Sequence, residues 1–205
     1  MTQSFSYAPA APLVKSPVNL FLEWYASAHI ANVLRHPEAM CVSTIGEDGM
    51  PQARFMDLKL ITDEGFVFCT QHRSEKGSAL SHNPNVALTF WWDHIERQVR
   101  VVGPAQRISD ADSDFHFRQR PRDAQLASWA CEQSKVFDDP LALKQRLRAR
   151  HDEFTGGAIP RPPYWGGYLV VPQRFEFLSF RSNRMHERLL FTRAGENWQS
   201  VWLEP

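Results

Sequence analysis

The sequence predicts an α+β fold in which an antiparallel β-barrel, closed or nearly closed, is flanked by helices. Short runs of β-branched and apolar residues alternate with tight turn signals between residues 39 and 108. The middle of the chain changes to helical spacing, and its last part returns to strand-like runs. The chain has 205 residues, 43% of them hydrophobic, and no linker-like segment, which predicts one domain at 16–205 after a flexible tail at 1–15.

The first element is predicted to be a helix that begins at Ser16-Pro17. Serine is a favoured N-cap residue, and proline is favoured at the first helical position because its missing N–H is not needed there. Apolar side chains then follow at helical spacing, at Val18, Phe21, Trp24, Tyr25 and Ala28. One face of this helix is therefore expected to pack on the body of the domain.

Five strands are predicted to follow, at residues 40–45, 54–61, 66–70, 86–92 and 98–108. Turns at 47–49 and 62–65 join the first three. A short helix, capped by Ser74 and ending at 82–84, separates the third strand from the fourth. Short turns between successive strands are typical of a meander, and this pattern is the reason for predicting a barrel.

The next part of the chain is predicted to be helical, with Ser109 as the N-cap of a helix through Phe117. Two further helices are predicted at 123–131 and 141–154. Four strands are then predicted at 167–171, 174–179, 188–193 and 198–203, with a turn at 195–197. The Trp165-Gly166-Gly167 sequence is interpreted as a close backbone approach at the start of a strand.

The composition narrows the class of protein. Lys and Arg number 23, as do Asp and Glu, so the formal net charge is zero, whereas a general nucleic-acid binder needs a basic excess. Cys41, Cys69 and Cys131 are far apart and form no CxxC pair, which argues against a zinc site or a disulfide framework and favours a reducing cytoplasm. The sequence has neither a signal-peptide pattern nor an apolar run of membrane-spanning length. We therefore expect a cytoplasmic protein without bound metal, nucleic acid or membrane.

Cationic residues near turns and element ends suggest a site for an anionic small molecule. Arginine suits planar, bidentate recognition of phosphate or carboxylate. The candidates are Arg54, Arg118, Arg120, Arg122, Arg184 and Arg188, together with Lys59, Lys76 and His186. The alternative is that these are solvated surface cations paired with some of the 23 acidic residues.

Arg54 and Lys59 lie five residues apart within one predicted strand. Because successive side chains of a strand point to opposite faces, this odd spacing places them on opposite faces. If both are functional, they serve different ligand groups unless a bulge intervenes. The spacing fits two phosphates better than one.

Taken in order, several blocks of this sequence resemble the pyridoxamine/pyridoxine 5′-phosphate oxidases. The blocks are Arg54-Phe-Met-Asp-Leu-Lys59, Ser74-Glu-Lys76-Gly, His82-Asn83-Pro84, Glu96-Arg97-Gln98-Val99, Arg120-Pro121-Arg122-Asp123-Ala124-Gln125 with Trp129 and Gln133-Ser134, Trp165-Gly166-Gly167, and Arg184-Met185-His186-Glu187-Arg188. The match runs in register from about Pro17 to Pro205, and the Arg-Pro-Arg-Asp and Arg-x-His-x-Arg blocks are specific in combination. The resemblance implies an FMN-binding split β-barrel that forms a homodimer with FMN at the subunit interface.

The resemblance also implies roles for individual positions. Those implied to bind FMN are Arg54, Phe55, Met56, Asp57, Leu58, Lys59, Cys69, Thr70, Lys76, Gln98, Gln133, Ser134 and Arg188. Those implied to bind substrate are Lys59, His116, Arg120, Arg184 and His186. Lys59 and Arg120 are assigned to the substrate phosphate. Arg184 and His186, over the pyridine ring, are the implied catalytic residues.

The chemistry that the resemblance implies is oxidation of pyridoxamine or pyridoxine 5′-phosphate to pyridoxal 5′-phosphate. Hydride leaves the substrate C4′ carbon for flavin N5, and molecular oxygen then reoxidises the flavin and gives hydrogen peroxide. The protein has to stack the two rings and stabilise the negative charge of the reduced flavin.

Four positions depart from the family pattern. His116 stands where the family usually has tyrosine and Ala124 where it has serine, so two hydroxyl groups that contact the substrate phosphate are missing. Leu178 replaces a tryptophan near the flavin, and Glu75 replaces an arginine that often flanks the phosphate-binding lysine. Two alternatives therefore stay open: an FMN-dependent oxidase of a different, secondary-metabolite substrate, similar to the oxidases of phenazine biosynthesis, and a non-catalytic flavin- or pyridoxal-phosphate-binding protein. The Arg-Pro-Arg-Asp loop, which the phenazine branch tends to lose, favours the vitamin B6 reaction.

Overall fold

The computed structural model describes residues 16–30, 33–137 and 139–205, so the tail expected at 1–15 lies outside the described residues. Five α-helices occur in the described part: α1 (Pro17–Ile30), α2 (Glu75–His82), α3 (Asp110–Arg118), α4 (Arg122–Ala130) and α5 (Pro140–Glu153). The strands are β1 (Ala39–Ile45), β2 (Pro51–Asp57), β3 (Leu60–Thr62), β4 (Gly65–Gln71), β5 (Asn85–Trp92), β6 (Arg97–Arg107), β7 (Trp165–Val170), β8 (Arg174–Ser179), β9 (Glu187–Ala194) and β10 (Asn197–Leu203). The predicted α+β class is confirmed.

Helices α1, α2 and α3 begin at the predicted capping residues. The Ser16 hydroxyl accepts from the Asn19 N–H at 3.4 Å at the start of α1. Ser74 and Ser109 likewise accept a backbone N–H from the first turns of α2 and α3. The apolar face of α1 packs on the sheet through Phe21, which is fully buried. None of the helices in the described ranges is both long and apolar enough to cross a membrane.

The strands form one antiparallel sheet that curls into a split barrel. One path through it runs β10-β9-β8-β6-β5-β1-β2, and β3, β4 and β7 are joined to that path through β6. The predicted meander is wrong, because β1 pairs with both β2 and β5, while β4 pairs with β3 and β7. Strands β2 and β10 end the long path, so the sheet does not close on itself along it.

Strand β6 connects the two parts of the barrel. One of its edges pairs with β5, and the other is long enough to pair with both β8 and β7. Its first residues pair with β8, and residues 105–107 pair with β7. Between these two segments lies Gly103, where an added Cβ would stand 2.0 Å from the Val171 carbonyl oxygen. Only glycine fits this close crossing of two backbones.

The strand predicted at residues 54–61 is interrupted. Strand β2 ends at Asp57, and the side chain of Leu58 then turns into the core. Lys59 follows outside any strand, and its N–H donates to a carbonyl of β4 at 2.8 Å. The prediction that Arg54 and Lys59 occupy opposite faces of one strand is therefore wrong, because the two residues do not share a strand.

Two cores hold the domain together. The larger fills the barrel, and the smaller fixes α3 and α4 against β7 through Phe117, Leu126 and Trp165. Beside the smaller core, the predicted close approach at Gly166-Gly167 is confirmed, since a Cβ on Gly166 would lie 2.7 Å from His72 Nε2. This packing places the loop between α3 and α4, which carries Arg120, beside the smaller core.

Candidate functional site

The first candidate group is a pair of cations, Arg54 on β2 and Lys76 in the first turn of α2, which we name the first cation pair. Arg54 donates to Thr44 Oγ1 at 2.7 Å and to Gln52 Oε1 at 3.2 Å. Lys76 is only 6% exposed, and within the described residues its ammonium has no hydrogen-bond or ion-pair partner. Burial lowers the pKa of Lys76, the Arg54 charge lowers it further, and Glu75 opposes both effects. The pair therefore presents positive charge that a bound anion can compensate.

Glu75, the residue expected to disturb an anion here, is directed aside. Its Oε1 accepts from Gln52 Nε2 at 3.1 Å, and its side chain is exposed. Burial lowers the pKa of Arg54, while Glu75 and Cys41 act against that shift. Glu75 thus moderates the positive charge without forming an ion pair with either cation among the described residues.

Gln71, which the sequence did not indicate as a site residue, holds the segment after α4 in place through hydrogen bonds. Its Nε2 donates to the carbonyl oxygens of Ser128 and Cys131 at 3.2 and 2.8 Å. Its Oε1 accepts from the Gln133 N–H at 3.0 Å. The only signal in the sequence is a polar residue at the end of an otherwise largely apolar strand, three residues before the Ser74 helix cap.

This fastening brings several predicted FMN-binding residues together. The Thr70 hydroxyl donates to Gln133 Oε1 at 3.1 Å. Ser134 has a φ of 72°, in the left-handed region that non-glycine residues seldom adopt. The bonds of Gln71 hold this unusual segment at the end of β4, a few residues before Lys76.

The second candidate group contains Lys59 and Arg120, which we name the second cation pair. Burial raises the pKa of the Cys69 thiol to about 12, and the charges of Lys59 and Arg120 act against that rise. Burial also lowers the pKa of His116, where Asp112 opposes the shift and Lys59 adds to it. The structure therefore brings Lys59, Arg120, Cys69 and His116 into one neighbourhood, with a protonated thiol and a neutral imidazole near pH 7.

Arg120 is held firmly and Lys59 loosely. Arg120 Nη1 donates to the Ser128 hydroxyl, and its guanidinium lies 5.0 Å from the Trp165 ring centroid. Lys59 Nζ lies 2.9 Å from Asp57 Oδ2, and both side chains are largely exposed. The second cation pair thus combines one fixed and one adjustable charge.

The other arginines of the Arg-Pro-Arg-Asp loop do not join this group. Arg122 Nη1 donates to the Gly157 carbonyl at 2.8 Å, and its Nη2 donates to the Phe154 carbonyl, so it holds the end of α5. Arg118 is exposed. Of the three candidate arginines around Pro121, the structure places only Arg120 in the second cation pair.

A third group lies on the face of the sheet that points away from the barrel core. We name this face the outer face. Gln98 of β6 is in register with Leu178 of β8, which is in register with Arg188 of β9. Cross-strand partners point to the same side, so these three side chains form one row, the outer row. Arg188 Nε and Nη2 donate to Glu176 Oε1 at 3.0 and 2.9 Å.

Arg184 and His186 lie in the loop between β8 and β9. Arg184 is exposed and has a φ of 66°, an uncommon conformation for a long side chain. His186 Nδ1 accepts the Arg181 backbone N–H at 3.1 Å, so a neutral His186 carries its ring proton on Nε2. A cavity of about 710 Å³ opens beside His186 and Arg188.

Along the sheet, the strand that carries Arg188 lies far from the strand that carries Arg54. Four strands separate β2 from β9 along the sheet, a path of about 24 Å at the usual strand spacing. Of the remaining predicted positions, Phe55 is 76% exposed on the outer face, whereas Met56 and Leu58 pack in or against the main core. Groups of three or more His, Cys, Asp or Glu side chains that could hold a metal ion are absent from the residues described.

Comparisons with known proteins agree along nearly the whole chain. The family model described as "Pyridoxamine 5′-phosphate oxidase" matches residues 26–151. The model described as "Pyridoxine 5′-phosphate oxidase C-terminal dimerisation region" matches residues 165–205. A pyridoxine/pyridoxamine 5′-phosphate oxidase of a Cyanothece species is 42% identical over 203 residues, covering 99% of this chain and 93% of that protein. The corresponding protein of Thermosynechococcus vestitus is 44% identical over 191 residues, covering 93% of this chain and 90% of its own.

Two solved structures resemble this fold. PhzG from Burkholderia lata, crystallised in complex with tetrahydrophenazine-1-carboxylic acid, superimposes with a TM-score of 0.89 at 30% identity and covers 94% of both chains. A pyridoxamine 5′-phosphate oxidase-related, FMN-binding protein from Nostoc punctiforme has a TM-score of 0.74 at 16% identity, with 94% of this chain and 100% of that chain covered. The second likeness supports the fold alone.

Proposed function

The chain belongs to the pyridoxamine 5′-phosphate oxidase family, and on that premise we propose that it is an FMN-dependent oxidase of pyridoxamine or pyridoxine 5′-phosphate. The product is pyridoxal 5′-phosphate, with O2 as the electron acceptor and H2O2 as the by-product. The family's members are oxidoreductases, so the proposal concerns the cofactor, the substrate and the assembly of the site.

The observation that carries the proposal is the presence of two separate cation pairs. The first pair, Arg54 and Lys76, is largely shielded from solvent and holds a lysine without a partner among the described residues. The second pair, Lys59 and Arg120, lies beside His116. One phosphate suits each pair, because two cations together compensate the charge of a dianion and donate hydrogen bonds to its oxygens. FMN and a phosphorylated substrate together bring two phosphates.

The residues that would hold FMN fit that group. Lys76 and Arg54 would bind its phosphate, and the segment of Thr70, Gln133 and Ser134 would bind its ribityl chain. The outer row offers side-chain N–H groups of Gln98 and Arg188 to the edge of a planar ring, where they would stabilise negative charge. When bound, FMN supplies the two-electron acceptor and the reaction with O2 that this protein's own side chains cannot provide.

We propose that the active site is completed by a second copy of the chain. Arg184 and His186 are the implied catalytic residues, yet they lie in the loop before β9, and four strands separate β9 from β2, the strand that precedes Lys59. The outer face carries exposed apolar side chains such as Phe55 and Val201, as expected of a surface that a partner covers. The match to a dimerisation region at residues 165–205 supports the same arrangement.

The substrate pocket favours a phosphate but binds it with fewer donors than the family pattern. Arg120 and Lys59 supply two charges. His116 is neutral near pH 7 and can still donate one hydrogen bond, whereas Ala124, in the first turn of α4, has no polar side-chain atom. We therefore expect weaker binding of the phosphorylated vitamers and unchanged chemistry at the ring.

A second candidate function is oxidation of an unphosphorylated polycyclic metabolite. Leu178 in the middle of the outer row favours it, since this side chain is smaller than the indole of the family pattern and leaves more room beside the ring-binding residues. The likeness to PhzG in complex with a tetrahydrophenazine acid supports the same possibility. The third candidate function is binding of flavin without turnover.

The test is a visible absorption spectrum of the FMN-reconstituted protein mixed anaerobically with pyridoxine 5′-phosphate, followed by admission of O2. We expect bleaching of the flavin band, then its return with release of peroxide. A spectrum that bleaches only with a dihydroaromatic acid would establish the second candidate instead. A spectrum that no reductant changes would favour the non-catalytic reading, and failure to bind FMN would refute the proposal.

A further inference from the structure

The outer face contains one carboxylate that the site description leaves unexplained, Glu176 in the middle of β8. Its neighbours Phe175 and Phe177 point into the core, so Glu176 points to the outer face. It is nevertheless only 3% exposed. A buried charge on a face that is otherwise rich in apolar side chains needs a physical reason.

Two arginines surround this carboxylate from neighbouring strands. Arg100, the direct cross-strand partner on β6, donates to Glu176 Oε2. Arg188, displaced diagonally on β9, donates through Nε and Nη2 to Glu176 Oε1 at 3.0 and 2.9 Å. Burial alone would raise the pKa of Glu176, but the hydrogen bonds and charges of both arginines outweigh it and lower the pKa. Glu176 is therefore ionised, and the three groups together keep one surplus positive charge.

The same contacts fix the orientation of Arg188. Its Nη1 donates to the Glu204 carbonyl at 3.0 Å, so all three guanidinium nitrogens are bonded. A guanidinium has five N–H groups, and two of them remain available. A buried ion pair usually stabilises a fold no more than apolar residues of similar size. The role of this ion pair is therefore sought in the orientation that it gives to Arg188.

We propose that Glu176 is a positioning residue, which holds the Arg188 guanidinium so that its two remaining N–H groups serve a ligand lying over the outer row. This inference rests on the proposed function, in which that ligand is the ring of FMN. Glu176 itself touches neither cofactor nor substrate; it acts through Arg188. Arg100 completes the arrangement by neutralising the second carboxylate oxygen.

The test is a double-mutant cycle with Glu176→Gln and Arg188→Gln, read out by fluorescence titration of the apoprotein with FMN. We expect Glu176→Gln to weaken FMN binding about tenfold, the effect of a lost charge-assisted hydrogen bond. In the Arg188→Gln background, the same change should weaken FMN binding no further. The absorption spectrum of the bound flavin should change in the same direction in both single variants.

Matched controls separate positioning from folding. Glu153→Gln changes the net charge equally but lies on α5, far along the chain from the outer row, and should bind FMN like the unaltered protein. Thermal unfolding of each apoprotein reports structural damage independently of FMN. Unchanged FMN affinity in Glu176→Gln, or equal losses in both backgrounds of the cycle, would overturn the inference while leaving the proposed function intact. Failure of the unaltered protein to bind FMN would overturn the proposed function itself, and this inference with it.

Discussion

The two cation pairs and the outer row are built in opposite ways. Arg54 and Lys76 are set by local elements of one chain, and the segment beside them is fastened by Gln71. The outer row lies on an exposed sheet face, and its loop carries Arg184 in a left-handed conformation. On the proposed function, phosphate binding would be prepared within a single subunit, whereas the surface for the reacting rings would be completed only by a second copy of the chain.

This difference separates binding from turnover. Groups that hold a phosphate far from the reacting atoms contribute uniformly to the bound states and govern affinity. Groups that lie over the reacting ring position the atoms whose bonds change, and they therefore govern the rate. Variants in the two regions should therefore change different constants, and the following experiments test that separation, beginning with the largest expected effect.

Arg184→Ala is expected to reduce kcat about 100-fold while leaving the FMN dissociation constant unchanged, because the guanidinium is proposed to clamp substrate and not cofactor. Steady-state peroxide formation and an FMN titration measure the two quantities. Arg118→Ala, which removes an exposed arginine at the end of α3, is the matched control and should change neither. Parallel losses of rate and of FMN affinity would show that the outer-face loop serves the cofactor as well.

Lys76→Ala is expected to show the reverse pattern. Loss of a buried ammonium that faces a phosphate should weaken FMN binding about 10- to 100-fold, while kcat at saturating FMN stays near that of the unaltered protein. The control is Lys144→Ala on α5, an exposed lysine. If Lys76→Ala instead lowers kcat at saturating FMN, the first cation pair is not a cofactor phosphate site.

His116→Tyr combined with Ala124→Ser tests the second cation pair. The two added hydroxyl groups should lower KM for pyridoxine 5′-phosphate about tenfold and leave kcat unchanged, because they contact only the phosphate. Unphosphorylated pyridoxine provides the control, since its KM should not move. An unchanged KM for the phosphorylated substrate would mean that these two departures do not limit recognition.

Much of the fold could be predicted because its signals are local. The capping serines, the β-branched runs and the turn residues specify individual helices and strands, and each of these lies within a few residues of its predicted place, apart from the interruption at Leu58. The order of strands in the sheet could not be predicted, since the pairing of β1 with β5 depends on contacts between distant segments. The break after Asp57 was missed because a buried Leu58 looks in sequence like any other strand residue.

The sequence indicated which residues could bind anions, but it did not indicate which residues hold those side chains in place. The resemblance assigned Lys59, Arg120 and Lys76 to anion binding, and the structure places these cations in surroundings suited to it; their roles remain predictions. Gln71 and Glu176 were missed, because a residue that acts by holding another side chain has no spacing pattern of its own. Arg122 was counted with the anion site because sequence distance does not reveal that its side chain turns to α5.

The remaining prediction concerns the stability of the folded chain and depends on His72, the residue that follows β4. Burial lowers the pKa of His72 to about 4, Arg107 and Arg161 lower it further, and Asp110 opposes them. An unfolded histidine titrates near pH 6.5, so the unfolded chain binds this proton first as the pH falls. The stabilisation is therefore complete above about pH 6.5 and is lost as the pH falls toward about 4.

We expect the free energy of unfolding of the apoprotein to fall by about 2–3 kcal/mol across that interval on account of His72. His72→Gln should flatten this part of the profile, measured by urea unfolding at several pH values, whereas His82→Gln, on the exposed end of α2, should leave the slope unchanged. Bound phosphate should raise the free energy of unfolding of the unaltered protein, because an anion at the first cation pair favours the folded state. A pH profile that His72→Gln leaves unaltered would show that His72 does not carry this loss of stability, and that the proton is taken up by another group.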